Sequence, residues 1–318
     1  MRRRENPRAM SAPPPGSKSG SKPGSSSDPV HARPAATVLL LRDGAAGMEV
    51  FMVVRHHEID FAKGALVFPG GSVDPSDTAL EVRTRTTGEL ALNDTAFGFA
   101  VAAIREAFEE CGVLLARPAG SNRLVDADRA AMMGEVWRHR LEGREVTMGE
   151  FLQTEDLILA ADLLQPFAHW ITPERMAKRF DTMFYLVAMP EEQAELAVHD
   201  GREAVDSIWI RPEDACAEAD AGQRTIIFPT RVNVEKLGRE TTVAGAMAAA
   251  RAKPVVTVLP QVEKIEGGRI MRIPAEADYG FSEVVIEGAP GTQQNARRMG
   301  SDGAQVRSNM PLATTMRD

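Results

Sequence analysis

Nine consecutive residues, Arg105-Glu106-Ala107-Phe108-Glu109-Glu110-Cys111-Gly112-Val113, set three carboxylates at helical spacing just before a glycine. An α-helix turns about 100° per residue, so Glu106, Glu109 and Glu110 share an arc of roughly 100° on one face. Val101, Ile104, Phe108, Cys111 and Leu115 fall on the opposite side, the stripe that a core would cover. A helix divided in this way has to lie on a packed layer with its acids turned outward. Like charges at (i, i+3) and (i, i+4) cost a few tenths of a kcal/mol per pair unless something neutralises them. A divalent cation would do so. A Glu-rich face is also what a solvated surface helix shows, and the run alone does not separate the two.

The surrounding pattern alternates between strand and helix. Residues 36–41 and 50–55 are aliphatic runs separated by Asp43-Gly44-Ala45-Ala46-Gly47, a hairpin signal. Ala65-Leu66-Val67 reads as a short strand running into Phe68-Pro69-Gly70-Gly71, a turn that leaves backbone amides and carbonyls open to a ligand. The acidic helix is expected at about 98–116. Residues 126–164 carry helical periodicity through Met132, Met133, Val136, Trp137 and Leu141, then Leu157, Ile158 and Leu159, and read as an appended helical lobe at about 120–165. Strand character returns at 180–188 and 207–210. Helices are expected at 212–220 and 230–250, then a β pair at 254–259 and 269–273. Strands, hairpins and helices mixed in this order point to an α+β layered domain.

Composition narrows the function classes. The 318 residues are 43% hydrophobic and 26% charged, enough for one sizeable core with an appended lobe. A net charge of −8 argues against a general nucleic-acid binder. Cys111 and Cys216 are the only cysteines, without zinc-site or disulfide spacing, which fits a reducing compartment; Cys111 sits on the apolar side of the acidic helix and reads as a packed thiol. Residues 1–34 and 288–318 are rich in Gly, Ser, Pro and Arg or Gln and read as disordered tails around a domain at 35–287. No apolar run reaches membrane-span length, and the expectation is a cytoplasmic protein that contacts neither membrane nor nucleic acid.

The Pro-Gly-Gly turn and the acidic run together resemble the Nudix hydrolase box, Gx5Ex7REUxEExGU with U aliphatic. Gly71, Arg105, Glu106, Glu109, Glu110, Gly112 and Val113 fit, and Ala107 is a small substitute for U. Six residues after Gly71 stands Asp77 in place of the glutamate, and 27 residues separate it from Arg105 where the pattern has seven. About 20 residues, 78–97, therefore form an insertion inside the box. Membership would imply an α/β/α sandwich with a mixed sheet, the insertion and lobe appended, and a C-terminal extension at about 225–287. Cutting a diphosphate requires a cation on the phosphate oxygens and a water made nucleophilic, and Mg2+ or Mn2+ choose carboxylate and carbonyl oxygen. The resemblance assigns Glu109, Glu110 and the Gly71 carbonyl to the metal, and Glu106 to the metal or to the role of base. Gly70 and Gly112 are structural in the motif, and Arg105 orients a carboxylate by pairing with Asp77 or Asp74.

Further residues resemble coenzyme A diphosphatases. Arg55, Gly64 and Phe68-Pro69-Gly70-Gly71 stand in the register RSxxxRxxxGxxxFPGG, with His56 at the small position and Asp60 at the second arginine. Trp170-Ile171-Thr172-Pro173 and Arg179-Phe180-Asp181-Thr182-Met183-Phe184-Tyr185-Leu186 look like the equivalent segment of the peroxisomal-type branch, whose box is also split. That implies cleavage of coenzyme A or acyl-coenzyme A to a phosphopantetheine and adenosine 3′,5′-bisphosphate. Alternatives are another nucleoside diphosphate-linked substrate, such as ADP-ribose or a dinucleotide, or a Nudix module that binds without turnover. The three retained glutamates speak against the last. Substrate phosphates need cations of the protein's own: Arg55, Lys63, Lys178 and Arg179 are candidates; Arg55 reads equally as a strand-end charge in water, and Lys63 reads more readily as a solvated loop lysine. His56 and His57 read as loop histidines, Glu203 as an extra acid or a surface charge, and Trp170 and Trp209 as core.

Overall fold

The computed structural model describes residues 31–55, 64–88, 93–190, 193, 196–197, 204–287, 294–299 and 305–312. The predicted hairpin forms from β1 (Arg33–Gly44) and β2 (Gly47–Arg55), antiparallel from Leu41↔Val50 to Gly44↔Gly47. Two short strands, β3 (Leu66–Val67) and β4 (Gly70–Ser72), add to β2 and β1. With β8 (Gln165–Ile171), β9 (Phe180–Ala188), β10 (Ala204–Ile210) and β11 (Thr257–Val258) they make a mixed sheet. Its order is β10-β2-β1-β9-β8-β11, parallel at β1/β9 and β8/β11. His169 ties three of these strands, bonding Thr257 Oγ1 through Nδ1 at 2.8 Å and Asp181 through Nε2.

Alternation along the strands loads both faces of the sheet. Ala36, Val38 and Leu40 of β1 point to one layer and Leu39 and Leu41 to the other, all fully buried. The first layer holds α1 (Leu80–Arg83), α2 (Asp94–Cys111), α3 (Ala127–Glu142) and α4 (Met148–Thr154). The second holds α5 (Pro212–Asp220), α6 (Phe228–Leu237) and α7 (Val243–Ala252). Helices on both faces of a mixed sheet are the α/β/α sandwich that the sequence implied.

Several boundaries differ from expectation, each for a local reason. The acidic helix starts earlier, at Asp94, because Asn93 Oδ1 accepts from the Ala96 amide at 3.0 Å. It stops at Cys111 because Gly112 takes φ 74, and the amides of Gly112 and Val113 turn back to the Phe108 and Ala107 carbonyls. Residues 157–160, read as helix, are the strand β7 (Leu157–Ala160). It lies between β5 (Thr86–Thr87) of the insertion and β6 (Ala116–Pro118), so these aliphatic residues pack by strand pairing instead of on a helix face. The single helix expected at 230–250 is two, divided at Gly238, with Thr242 capping the second through the Gly245 amide. The two segments expected to pair with each other do not. Residues 257–258 join the main sheet, while β13 (Gly268–Arg272) sits between β12 (Gln261–Ile265) and β14 (Glu283–Glu287). That second sheet continues through β15 (Gln294–Met299) and β16 (Gln305–Leu312), although composition reads 288–318 as a disordered tail. An antiparallel meander satisfies polar residues through backbone bonds alone, so a low apolar content does not preclude it.

The insertion and the lobe are one unit. β5 and β7 pair in parallel, Arg85 donates to Asp156 Oδ1 and Leu157 O, and Thr87 Oγ1 and Arg117 donate to Asp162. The lobe's aromatic core joins α2, α3 and α4: Phe108 stacks on Phe151 at 5.3 Å and Trp137 tilts against Phe151 at 5.2 Å. No helix among the described residues is long and apolar enough to cross a membrane.

Candidate active site

The site forms where α2 passes the end of β4. Strand register places Gly71 opposite Ala36 and Gly70 opposite Thr37. Gly70 is demanded by close approach to backbone, and Gly71 leaves room for the Glu106 carboxylate. A Cβ on Gly70 would stand 2.4 Å from the Ala36 carbonyl oxygen, and one on Gly71 2.4 Å from Glu106 Oε1. Glu106 is thus held against bare backbone, and Glu110 Oε2 accepts from the Gly70 amide at 3.1 Å.

Arg105 organises the acids, and it is buried. Its Nε donates to Asp77 Oδ1 at 3.0 Å and its Nη2 to Asp77 Oδ2 at 3.2 Å and to the Ser72 carbonyl at 2.8 Å. Nη1 donates to Glu106 Oε1 at 2.8 Å and to Glu109 Oε2 at 2.9 Å. The shorter acid reaches because the segment around it bends inward. Residues Pro75–Thr78 form a 3-10 turn closed by a reciprocal cap, in which Asp77 Oδ2 accepts from the Asp74 amide and Asp74 Oδ1 from the Ser76 amide. Asp77 is fully buried there. Burial would lower the Arg105 pKa, but Glu106, Asp77 and Glu109 outweigh it and raise it, so the guanidinium stays charged.

Glu109 is the acid that asks for a cation. It is 8% exposed, its Oε1 is buried without a hydrogen-bond partner, and burial pushes its carboxyl up to about 8 against the pull of Arg105. Among the described residues no three acids converge on a common point, since Arg105 Nη1 stands between Glu106 and Glu109. The donors are all hard oxygens around one orphaned carboxylate oxygen, beside a backbone cradle that only glycine leaves open. This set fits Mg2+ or Mn2+.

A cleft of about 970 Å³ runs from these acids across the sheet. Its floor includes Ala35 and Thr37 of β1 and Thr182 and Phe184 of β9; Thr172, Pro173, Met176 and Lys178 of the β8/β9 connection form one rim. The segment whose sequence resembled coenzyme A diphosphatases therefore lines the cleft through Trp170, Ile171, Thr172, Pro173, Phe180, Thr182 and Phe184. Trp170 is buried, as expected of core, and also faces the cleft. Lys178 faces it too, whereas Arg179 Nε donates to the Thr172 carbonyl at 3.0 Å and so braces the connection. The Arg55 side chain, Lys63, His56, His57, Asp60 and Glu203 lie outside the described residues.

Two walls were missed at the sequence level. The lobe contributes Leu141, Glu142, Arg144, Val146, Thr147 and Met148, and Arg144 reaches Asp74 at 3.3 Å. Arg138 of α3 donates to the Glu109 carbonyl at 3.0 and 2.9 Å, coupling the lobe to the end of α2. The second sheet contributes Arg269, Met271 and Ile286. Insertion residues 78–88 do not line the cleft.

A family model described as the NUDT19 Nudix domain matches residues 79–237, half of the chain. The chain belongs to this Nudix family. It is 28% identical over 237 residues to a protein from Gallus gallus named "Acyl-coenzyme A diphosphatase NUDT19", spanning 58% of this chain and 62% of that one. It is 25% identical over 263 residues to "Putative nudix hydrolase 7" of Caenorhabditis elegans, spanning 82% and 78%. Among solved structures it resembles a NUDIX hydrolase from Alicyclobacillus acidocaldarius with a TM-score of 0.56 at 28% identity, covering 69% of this chain and 96% of that one. The split acidic run is therefore a Nudix box.

Proposed function

We propose that the chain cleaves the diphosphate of coenzyme A or acyl-coenzyme A with Mg2+ or Mn2+, releasing a phosphopantetheine and adenosine 3′,5′-bisphosphate. The observation that carries this reading is the acidic end of the cleft: a buried Glu109 with an unpartnered oxygen, beside a glycine backbone, in the cleft that residues from Trp170 to Phe184 also line. The similarity to relatives named for acyl-coenzyme A cleavage supports the substrate class.

Each residue has a part. Glu109, Glu110 and the Gly71 carbonyl would hold the cation, whose chemistry is to offset phosphate charge and ease deprotonation of water. Glu106, pressed against the Gly71 backbone, takes the proton of the attacking water. That water adds to one phosphorus, the bridging P–O bond breaks, and each product keeps one phosphate of the diphosphate, the adenosine product retaining its 3′-phosphate as well. Arg105 holds Glu106 and Glu109 at their stations while anchored to Asp77 and Ser72. Lys178 at the rim offers charge to substrate phosphate.

Incubation with Mg2+ or Mn2+ and a panel of coenzyme A esters, ADP-ribose, dinucleotides and nucleoside triphosphates, with products identified by mass, tests it. Phosphopantetheine release is the expected result. Turnover of ADP-ribose alone would sink the substrate reading, and no turnover at all would leave a binding module.

A further inference from the structure

One row of paired residues crosses the cleft floor. Ser72 of β4 stands opposite Ala35 of β1, Ala35 opposite Thr182 of β9, and Thr182 opposite Trp170 of β8. Neighbouring strands lie about 4.8 Å apart, so the row spans roughly 14 Å from Ser72 to Trp170. Its first residue is bonded by Arg105, among the carboxylates. Its last meets Phe228 edge to face at 6.2 Å, and Phe184, Pro260, Met271 and Ile286 line the same cleft.

Chemistry changes along this row. The acids lining the cleft are Asp74, Glu106, Glu109, Glu110 and Glu142, from the 3-10 turn, α2 and the end of α3. Small side chains and hydroxyls, Ala35, Thr37 and Thr182, follow in the middle. Phe228, Pro260, Met271 and Ile286 add an apolar stretch of lining, with Met271 4% and Ile286 2% exposed inside the apolar cluster of the second layer, and one cation, Arg269, stands opposite Ile286 in the second sheet. Trp170 has no donor to spare there, because its indole N–H is given to Tyr279 Oη at 2.7 Å. A ligand filling the row is anionic at one end, carries hydrogen-bonding groups along a narrow middle and ends in hydrocarbon. An acyl-phosphopantetheine is such a chain: phosphate, two amides, thioester, alkyl tail. The cavity volume is at the upper limit of the 300–1,000 Å³ usual for small-molecule sites, which leaves room beyond the diphosphate.

We infer that the apolar end of the cleft, walled by Met271 and Ile286 of the second sheet with Phe228 of α6, is the acyl-chain subsite and sets chain-length preference. The inference rests on the coenzyme A reading given above. Pro260, Met271 and Ile286 all follow residue 237, where the family match ends. The preference is therefore written in a part of the chain separate from the Nudix box.

The test compares kcat/KM for free coenzyme A and for saturated acyl esters of increasing length, in the wild type, Ile286→Phe and Phe228→Ala. Burial of a methylene contributes about 0.8 kcal/mol, so kcat/KM is expected to rise about fourfold per buried methylene until the subsite is full. Ile286→Phe shortens the subsite and should lower the ratio of long-chain ester to free coenzyme A at least tenfold. Phe228→Ala, at a half-buried position, lengthens it and should move the plateau to longer chains; it keeps the test decisive if Ile286→Phe does not fold. A wild type indifferent to chain length, or variants that lower coenzyme A and its esters by one common factor, would overturn the inference and place the adenine there. Cleavage of some other diphosphate with every coenzyme A species untouched would remove the functional reading and the subsite together.

Discussion

Asp77 is the residue on which the acidic site depends, because it is the fully buried counter-charge of a guanidinium that also serves two glutamates. Removing one partner of a buried ion pair leaves the other charge uncompensated, at a cost of about 3–5 kcal/mol. Asp77→Ala should therefore lower the melting temperature sharply and abolish activity together; an unchanged melting temperature would mean that Arg105 is held by the other acids. Arg144 makes the opposite case. It sits at φ 55, a left-handed conformation that costs a residue with a side chain about 1 kcal/mol, while its exposed guanidinium reaches Asp74 across the cleft. Arg144→Gly is expected to hold or raise the melting temperature and to raise KM severalfold with kcat nearly unchanged. A fall in kcat with KM constant would contradict a role at the cleft mouth. The box resemblance implied that Arg105 pairs with Asp77 or Asp74, and the structure selects Asp77. Arg144 was not legible, because nothing in the sequence around Gly143 marks a lobe residue as facing the acids.

At the scale of elements, the insertion inside the Nudix box acts as a brace. β5 pairs with β7, and the bidentate Arg117–Asp162 bond, 2.6 and 2.7 Å, also collects Thr87. The Arg117 hydrogen bond holds the Asp162 carboxyl below its ordinary range. A depressed acid contributes stability above its unfolded pKa, near 3.8, and loses it as pH falls through the lower folded value. Asp162→Asn should cost about 1 kcal/mol or less at pH 7, since the side chain is 40% exposed. The gap between variant and wild type should close below pH 4, as followed by denaturant melts; a gap that persists at low pH would show that packing, not charge, links insertion to lobe. Helical periodicity pointed to the lobe, and the Nudix box resemblance implied the insertion. Periodicity could not reveal that 157–160 is a strand, because four aliphatic residues satisfy a helix face or a buried strand equally well until their neighbours in space are known.

Over the whole molecule, the hairpin and the acidic helix were legible because each rests on local periodicity, while the sandwich was implied by the Nudix resemblance. The second sheet was not legible: β13 looked fit to pair with residues 254–259, and only long-range register places it between β12 and β14 and against the cleft. That layout unites a cation-seeking end and an apolar end within one cleft of a chain whose net charge is −8. On the proposed reading, an anionic substrate entering such a molecule would depend on the cation, and so would Glu109. Binding to the folded state alone stabilises by RT ln(1 + [L]/Kd), about 2.7 kcal/mol at a hundredfold excess over Kd. Chelator-treated protein should accordingly melt several degrees lower than protein with Mn2+, and equal melting temperatures would argue against a site at Glu109. The most direct measurement is the rate of coenzyme A cleavage as Mn2+ is titrated into the wild type and Glu109→Gln. The wild type should show a saturable, chelator-reversible dependence, and the variant a kcat reduced by about 100-fold or more at every metal concentration. Equal rates in both proteins, or full activity of the wild type in chelator, would contradict the assignment of the acidic helix to a divalent cation.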